Sequence, residues 1–155
     1  MAKKWIYYDD IEVGESRWTG SYQVTRDEIL DFAARWDPQP FHLDEDAAQA
    51  SHFRGLVASG WHTTAIAMRL MVDSMQETGG ESLGSPGTEE IRWLLPVRPG
   101  DRLRAFLAVI DKRELASRGD RGLVKLSTRL YNQHDEEVMA MVSLGLFRRR
   151  GLVEV

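Results

Sequence analysis

The fold of this chain is decided by residues 60–78, which read GWHTTAIAMRLMVDSMQET. If these residues form a helix, apolar side chains cover most of its circumference, and only Arg69, Asp73 and Gln76 form a polar stripe. A surface helix is polar over a wider arc, so we expect this helix to be largely enclosed by other elements. The sequence therefore predicts a long, central helix over Gly60–Thr78.

Four strand-like runs follow the helix and can enclose it. These runs are Ile91–Val97, Leu103–Ile110, Leu123–Tyr131 and Val138–Phe147. The third run alternates between apolar and polar side chains, which is typical of a half-buried strand. The fourth is apolar on nearly both faces, which indicates a strand deep in the sheet or in an interface. Turns of hairpin length lie at Pro99–Asp101 and Asn132–Glu136, so the sequence predicts an α+β fold with an antiparallel sheet wrapped around the helix.

The chain before the long helix predicts one strand and two short helices. The strand is expected over Ser16–Val24, and the second of the short helices over Asp44–Ala50. Between them, Thr25–Glu28 matches a capping box, in which the threonine hydroxyl binds a free backbone amide and the glutamate reaches back to the cap. The helix that begins there should end before Pro38, because a proline disfavours a helical conformation at the preceding residue, Asp37.

Length and composition narrow the class of protein. Residues 1–155 are predicted to form a single domain, because this length is close to the usual domain size. The chain has no cysteine, which excludes a disulfide scaffold, a thiolate zinc site and thiol chemistry. A net charge of −4 with mixed signs argues against a nucleic-acid partner. No apolar stretch is long enough for a signal peptide or a membrane span, so we expect no membrane partner and a soluble protein of the cytoplasm.

Several familiar catalytic and binding motifs do not occur in the sequence. It has neither a phosphate-binding loop nor the glycine spacing of a dinucleotide-binding loop. Ser59 is not in a nucleophile elbow, because the residue two positions before it is Val57 rather than glycine. His42, His52 and His62 are ten residues apart, a spacing that puts no pair on one helical face, so we expect no metal. Water is the nucleophile that remains.

An acid and an imidazole stand close together in the segment DPQPFH, residues 37–42. Its two prolines enforce a bent, non-helical path that can bring Asp37 and His42 to one spot on a stiff loop. Such a pair suits the activation of water, because histidine titrates near neutrality and burial in a dry pocket raises the pKa of a carboxylate. The alternative interpretation is an aspartate that caps a turn beside a loop histidine.

The residues that lead into the long helix suggest a site for a developing oxyanion. A glycine at the helix start, Gly60, leaves backbone amides free, with the positive end of the helix dipole behind them. The alternative is that Ser59 only caps the helix with its side chain. Both interpretations are compatible, because one side-chain cap still leaves other amides free.

Three motifs in this order resemble one known family. They are Asp37-x-x-x-x-His42, then ASGWH at residues 58–62, then LPVRPGD at residues 95–101. Together they resemble the MaoC-like dehydratases, hotdog-fold proteins that are related to (R)-specific enoyl-CoA hydratases. The resemblance extends from about Asp10 to Phe147. It implies a hotdog fold, in which an antiparallel sheet wraps around a long central helix, and a homodimer or higher homo-oligomer.

The resemblance also implies roles for individual residues. The catalytic aspartate and histidine of the family correspond to Asp37 and His42, and the amide that binds the thioester carbonyl corresponds to Gly60, with Ser59 beside it. The implied substrate is an acyl thioester of coenzyme A or of acyl-carrier protein, and no separate cofactor or metal is implied. Asp37 and His42 would add water across the 2,3 double bond of an enoyl thioester, or remove it.

The chain departs from the family pattern at two positions. Ser59 stands where many hydratases have histidine, and Met68 stands where some have serine, with Thr63 and Thr64 as nearby polar groups. We expect pocket depth, and hence the acyl group accepted, to depend on aromatic residues. These are Trp36, Phe41, Trp61 and Trp93.

The sequence leaves two alternative functions and the role of one basic segment undecided. The chain could be a hotdog acyl-CoA thioesterase, in which the same pair directs water at the thioester carbonyl, or a non-catalytic acyl-CoA-binding subunit. Arg148–Arg150 could meet the phosphates of coenzyme A, although a solvated charge run at the end of the last strand is the simpler interpretation.

Overall fold

The computed structural model describes residues 4–80 and 82–151, and within them five strands and four helices follow a short 3₁₀ turn at Tyr8–Asp10. The strands are β1 (Ser16–Gln23), β2 (Thr88–Trp93), β3 (Arg102–Glu114), β4 (Arg121–Tyr131) and β5 (Glu137–Arg148). The helices are α1 (Arg26–Trp36), α2 (Pro40–Leu43), α3 (Glu45–Ala50) and α4 (Gly60–Thr78). The long helix, the first strand and the two short helices on either side of residues 37–43 lie where the sequence predicts them.

The five strands form one antiparallel sheet in the order β1-β3-β4-β5-β2. β5 is an inner strand, which explains why it is apolar on nearly both faces. β4 buries the alternate side chains that the sequence predicts, with Val124, Leu126, Thr128 and Leu130 inside. The predicted α+β class with an antiparallel sheet is therefore confirmed.

The second predicted strand differs from the structure in its bounds and in its neighbour. β2 ends at Trp93, so residues 94–97 leave the sheet, and β2 pairs with β5 rather than with β3. Pro96 and Pro99 have no backbone N–H to donate to a ladder, which accounts for the early end. The turn at residues 99–101 closes no hairpin, because Gly100 N donates to Val24 O at 2.7 Å and Val24 N donates to Asp101 O at 2.8 Å. This turn joins the start of β3 to the end of β1.

Helix α4 lies on one face of the sheet, in contact with β1 and β3. The face toward the sheet is buried and includes Ile66, Ala67 and Leu70. The prediction of a largely enclosed helix is wrong for the opposite side, where Met68 is 45% exposed and Val72 is 38% exposed. One sheet can cover only one side of a helix, so an apolar stripe of α4 stays on the surface of this chain.

The helices before α4 differ from the prediction in two details, the contacts of Glu28 and the path of residues 37–42. Thr25 accepts a hydrogen bond from Glu28 N at 3.2 Å, as predicted, but the Glu28 carboxylate accepts from the Thr25 and Tyr22 hydroxyls instead of reaching back to the cap amide. The predicted non-helical path of residues 37–42 is wrong for its second half, because Pro40–Leu43 forms one helical turn. A proline fits the first position of a helix, where its missing N–H is not needed.

The loop from residue 51 to residue 59 brings the start of α4 to the helical layer and to the segment after β2. Val57 N donates to Phe41 O at 3.4 Å, and Ala58 N donates to Val97 O at 2.8 Å. Leu56, Val57 and Ala58 are all buried. The turn α2, the segment after β2 and the residues that lead into α4 are thereby held together at one place.

Candidate active site

Asp37 and His42 are brought together by the end of α1 and the turn α2. Asp37 N donates to Ala33 O at 2.9 Å and ends α1, and His42 N donates to Gln39 O at 3.0 Å within the next turn. Asp37 Oδ2 lies 3.3 Å from His42 Nε2, and the two side chains are 19% and 7% exposed. The two residues therefore form a partly buried carboxylate–imidazole pair.

The position of the His42 proton is set by the backbone of Val57. His42 Nδ1 lies 2.7 Å from the Val57 carbonyl oxygen, which can only accept a hydrogen bond. Nδ1 therefore carries a proton and donates, so Nε2 is the ring nitrogen that can take up or release a proton. This Nε2 is the ring nitrogen that faces Asp37.

Both oxygens of the Asp37 carboxylate accept hydrogen bonds. Gln39 Nε2 donates to Oδ1 at 2.6 Å, and the Ser59 hydroxyl donates to Oδ2 at 2.7 Å. Burial raises the pKa of the Asp37 carboxyl, but the hydrogen bonds from Gln39 and Ser59 and the imidazole of His42 together hold this pKa below its usual value. The prediction of a raised pKa is wrong because polar donors surround the carboxylate, which is consequently ionised at neutral pH.

When the His42 ring is neutral, the pair presents two acceptors to the same point. Asp37 Oδ2 and His42 Nε2, 3.3 Å apart, then repel each other through their lone pairs unless a proton lies between them. A water molecule has two O–H groups and can donate one to each acceptor, which leaves its own lone pairs available for attack. The arrangement can thus hold and deprotonate a water molecule.

The start of α4 lies beside this pair, and Ser59 connects the two. Ser59 is at the position that precedes the helix and is 1% exposed, yet its side chain makes no capping hydrogen bond. The interpretation of Ser59 as a side-chain cap is therefore wrong, because its hydroxyl is directed to Asp37. The first backbone amides of a helix have no acceptor within the helix, so those that begin at Gly60 remain suited to an anionic oxygen.

The packing around Gly60 requires a glycine. A Cβ atom at this position would lie 2.5 Å from ring carbons of Trp93. The Trp93 indole is held in place because its Nε1 donates to the Thr64 hydroxyl at 3.0 Å. Trp93 also contacts Trp61 edge-on, with 5.2 Å between ring centroids. The start of α4 is thus covered by an aromatic side chain that can approach only where there is no Cβ.

A cavity of about 580 Å³ contains the pair and the helix start. Asp37, His42, Gly60 and Thr63 line it, whereas Ser59 lies behind its wall. Most of the remaining wall is aromatic or aliphatic. The large apolar side chains are Trp36, Phe41, Phe53, Trp61, Trp93, Leu94 and Leu95. The four aromatic residues that we expect to determine pocket depth therefore all line the cavity.

A second carboxylate–imidazole pair was not predicted from the sequence. Glu28 Oε1 lies 3.4 Å from His62 Nε2, and Phe32 stacks on the His62 ring with 4.8 Å between centroids. Burial lowers the pKa of the His62 imidazole, and the Glu28 carboxylate offsets this only in part. The pair borders a separate cavity of about 790 Å³. Only the packing of α1 against α4 brings these residues together, and no local signal in the sequence indicates it.

The arginines at the end of β5 do not lie at the cavity. Arg149 forms an ion pair with Glu114 at 3.0 Å, and Arg150 forms one with Asp10. None of Arg148–Arg150 lines the cavity. Within residues 4–80 and 82–151, no three or more His, Cys, Asp or Glu side chains are grouped to hold a metal ion. Among the helices in this part of the chain, none has the length and apolar character that crossing a membrane requires.

The chain is similar to known proteins over most of its length. Residues 11–128 match the family model described as MaoC like domain. YdeM, an uncharacterized protein of Bacillus subtilis, is 31% identical over 130 residues, which are 84% of this chain and 90% of that protein. The 3-hydroxyacyl-thioester dehydratase Z of Mycobacterium tuberculosis is 30% identical over 107 residues, which are 68% of this chain and 69% of that protein.

A solved structure extends the similarity to three dimensions. The crystal structure of the MaoC-like dehydratase from Rhodospirillum rubrum has a TM-score of 0.84 and 39% sequence identity, and the match covers 95% of this chain and 99% of that chain. The hotdog fold that the resemblance implies is therefore confirmed, with an antiparallel sheet and a long helix.

Proposed function

Because this chain belongs to the MaoC-like dehydratase family, we propose that it is a hydro-lyase that adds water to the 2,3 double bond of an enoyl thioester or removes it. The observation that carries the proposal is the Asp37–His42 pair, whose facing atoms are 3.3 Å apart at the wall of a cavity. The similarity to a 3-hydroxyacyl-thioester dehydratase supports the same class of reaction.

In the proposed reaction, His42 moves the proton and Asp37 orients the water. The water donates one O–H to His42 Nε2 and the other to Asp37 Oδ2, and its oxygen bonds to C3 of the substrate. The π electrons of the double bond move toward the thioester carbonyl, and the proton taken up by Nε2 is then delivered to C2. The sum is the addition of one water, and dehydration follows the same steps in reverse. Asp37 stays ionised throughout and stabilises the imidazolium that forms.

The thioester carbonyl is assigned to the start of α4. Its oxygen gains negative charge when water attacks C3, and the Gly60 amide is the donor that we propose for it. The positive end of the helix dipole lies at the same place and favours that charge. The donor and the water-binding pair line one cavity, so a single substrate can contact both.

The proposed substrate is an acyl thioester of coenzyme A or of acyl-carrier protein, and coenzyme A enters only as part of the substrate. The cavity is mostly apolar and has no Lys or Arg in its wall within the described residues, which suits an apolar acyl group rather than a charged one. Its volume of about 580 Å³ must also accept the inner part of the thioester arm. This favours a short acyl group in the single chain.

We also propose that the protein works as a homodimer. Large apolar side chains at the cavity mouth are open to solvent, with Trp36 69% exposed and Trp61 58% exposed. β2 is an edge strand, so the backbone groups on its open side are available to pair with another chain. A second copy placed against this edge covers both features and deepens the cavity. Sedimentation should then give twice the mass of one chain, and a monomer at micromolar concentration contradicts this part of the proposal.

The proposed function is tested by turnover of enoyl-CoA esters. Crotonyl-CoA, longer 2-enoyl-CoA and branched enoyl-CoA are each mixed with the protein, and loss of the ultraviolet absorbance of the conjugated thioester is followed. We expect hydration of at least one ester, and a loss of about a hundredfold or more in kcat for Asp37→Asn. His134→Ala, in the exposed turn after β4, is the control and should retain full activity.

Three outcomes contradict the proposed function. Full activity of Asp37→Asn would remove the pair from the mechanism. Release of free coenzyme A from a saturated acyl-CoA, without hydration of enoyl esters, would identify a thioesterase. Tight binding of acyl-CoA without turnover on the whole set of esters would identify a binding subunit.

A further inference from the structure

We propose that Ser59 is a positioning residue that holds the Asp37 carboxylate toward His42, and that it does not bind the thioester carbonyl. This inference rests on the proposed hydration reaction. It assigns to Ser59 a function in the water-binding half of the site, although the residue lies in the motif that begins α4.

The first observation is how the Ser59 hydroxyl is used. A serine before a helix commonly accepts a hydrogen bond from an amide of the first turn, but Ser59 makes no such bond. A hydroxyl has one proton to donate, and that of Ser59 is donated to Asp37 Oδ2 at 2.7 Å. No proton of Ser59 is left for a substrate carbonyl. The residue is also 1% exposed and does not line the cavity.

The second observation is which carboxylate oxygen is bound. Oδ2, the acceptor for Ser59, is also the oxygen that lies 3.3 Å from His42 Nε2. The hydrogen bond from Ser59 therefore fixes the rotation of the carboxylate that presents Oδ2 to the water. It also stabilises the ionised form of Asp37, in line with the lowered pKa of this group.

The third observation is the connection that this bond makes between elements. Asp37 follows α1, and Ser59 immediately precedes Gly60, the first residue of α4. The backbone of Ser59 is itself fixed, because its carbonyl oxygen accepts from Thr63 N at 3.0 Å. The bond from Ser59 to Asp37 thus sets the distance between the water-binding pair and the amide proposed for the carbonyl. This distance must match that between C3 and the carbonyl oxygen of one substrate.

The kinetic test is Ser59→Ala. We expect kcat for enoyl-CoA hydration to fall by about tenfold to a hundredfold, with KM within about threefold of the wild type, because orientation rather than binding is lost. The control is Ser74→Ala, which removes another buried serine hydroxyl from α4 about four turns away and should leave kcat unchanged.

A second readout does not depend on turnover. The side-chain carboxyl carbon of Asp37 is followed by ¹³C NMR during a pH titration, with its signal assigned through Asp37→Asn. The titration midpoint should be higher in Ser59→Ala than in the wild type and unchanged in Ser74→Ala. Unfolding by urea checks that each variant is folded under the conditions of the titration.

The outcomes separate the inference from the proposed function. A raised KM with unchanged kcat in Ser59→Ala would assign Ser59 to the carbonyl and overturn the inference, as would an unchanged titration midpoint. If the wild type hydrates no enoyl ester but the midpoint still moves in Ser59→Ala, the proposed function fails and the positioning of Asp37 by Ser59 stands.

Discussion

The molecule contains two carboxylate–imidazole pairs with nearly the same separation and very different surroundings. The oxygen and nitrogen atoms are 3.3 Å apart in Asp37–His42 and 3.4 Å apart in Glu28–His62. In the first pair, His42 Nδ1 donates to a backbone carbonyl and both carboxylate oxygens accept from side chains. In the second pair, His62 Nδ1 and Glu28 Oε1 are buried, and within the described residues neither has a hydrogen-bond partner.

The difference shows that two pairs with nearly equal separation can have very different hydrogen bonding and protonation. The hydrogen bonds of the first pair hold the pKa of Asp37 below its usual value, so its carboxylate is ionised at neutral pH, and the bond from His42 Nδ1 to Val57 leaves Nε2 as the nitrogen that can exchange a proton. In the second pair, burial lowers the pKa of His62, so its imidazole stays neutral at neutral pH and stacks on Phe32 as a packed side chain. We infer that the first pair acts on the substrate and the second joins α1 to α4.

The largest expected difference between the pairs is in catalysis. His42→Gln should lower kcat for enoyl-CoA hydration by about a hundredfold or more, because Nε2 is the proposed proton acceptor. His62→Gln should keep kcat within about threefold of the wild type. Initial rates at saturating substrate, with unchanged circular dichroism, provide the comparison. Equal losses in the two variants would mean that the Glu28–His62 pair takes part in the reaction.

For stability, the second pair is expected to matter more than the first. His62→Ala removes a ring that stacks on Phe32 and leaves a gap between α1 and α4, so it should lower the free energy of unfolding by about 2–3 kcal/mol. Asp37→Asn keeps the size of the side chain and its partly exposed position, and should lower this free energy by less than about 1 kcal/mol. Urea unfolding with a common m-value measures both. A larger loss for Asp37→Asn would contradict the structural assignment of the second pair.

The two pairs differ in how well the sequence predicts them, because the two residues of a pair can be near or far apart along the chain. Asp37 and His42 are five residues apart around two prolines, so a local argument brings them together. Their supporting groups, Val57 and Ser59, come from the loop before α4, and no local pattern reports such contacts. The lowered pKa of Asp37 is missed because Ser59 is distant in the sequence and because the bond from the nearby Gln39 depends on side-chain orientation. Glu28–His62 depends entirely on the packing of α1 against α4.

The same reasoning explains which parts of the fold were predicted. Hydrophobic periodicity predicts each helix or strand separately from its own residues, and the long helix and the inner strands lie where it predicts them. Short turns favour pairing of neighbours in the sequence, and this rule fails at residues 94–101, where the chain leaves β2 and returns beside β1. The exposed side of α4 is missed for a related reason. Its apolar residues predict burial without specifying whether this chain or a second copy covers them.

The pairs should also differ in how pH affects stability. The pKa of His62 is lowered from 6.5 in the folded state, so below about pH 6.5 the unfolded chain binds more protons and stability falls as the pH falls. The pKa of Asp37 is lowered from 3.8, so its contribution is present above about pH 3.8 and is lost as the pH falls through the folded-state pKa. Unfolding free energies measured between pH 3 and pH 8 separate the two windows.

Variants show which residue causes the loss of stability in each pH range. His62→Leu should flatten the slope below about pH 6.5, where one group contributes at most about 1.4 kcal/mol per pH unit. Asp37→Asn should leave this slope intact and flatten only the region below about pH 4. If His62→Leu leaves the slope near pH 6 unchanged, the His62 imidazole is not held neutral by its surroundings.

The smallest expected effect concerns Gln39, which donates to Asp37 Oδ1 at 2.6 Å from an exposed position. Water can replace an exposed donor, whereas it cannot easily replace one that is buried, as Ser59 is. Gln39→Ala should therefore lower kcat by only about two- to threefold, well below the loss expected for Ser59→Ala. The two variants remove one hydrogen bond each from the same carboxylate, and their kcat values and the titration midpoints of Asp37 are compared under identical conditions. Equal effects would mean that any donor to Asp37 suffices, and that the burial which distinguishes this pair does not govern its chemistry.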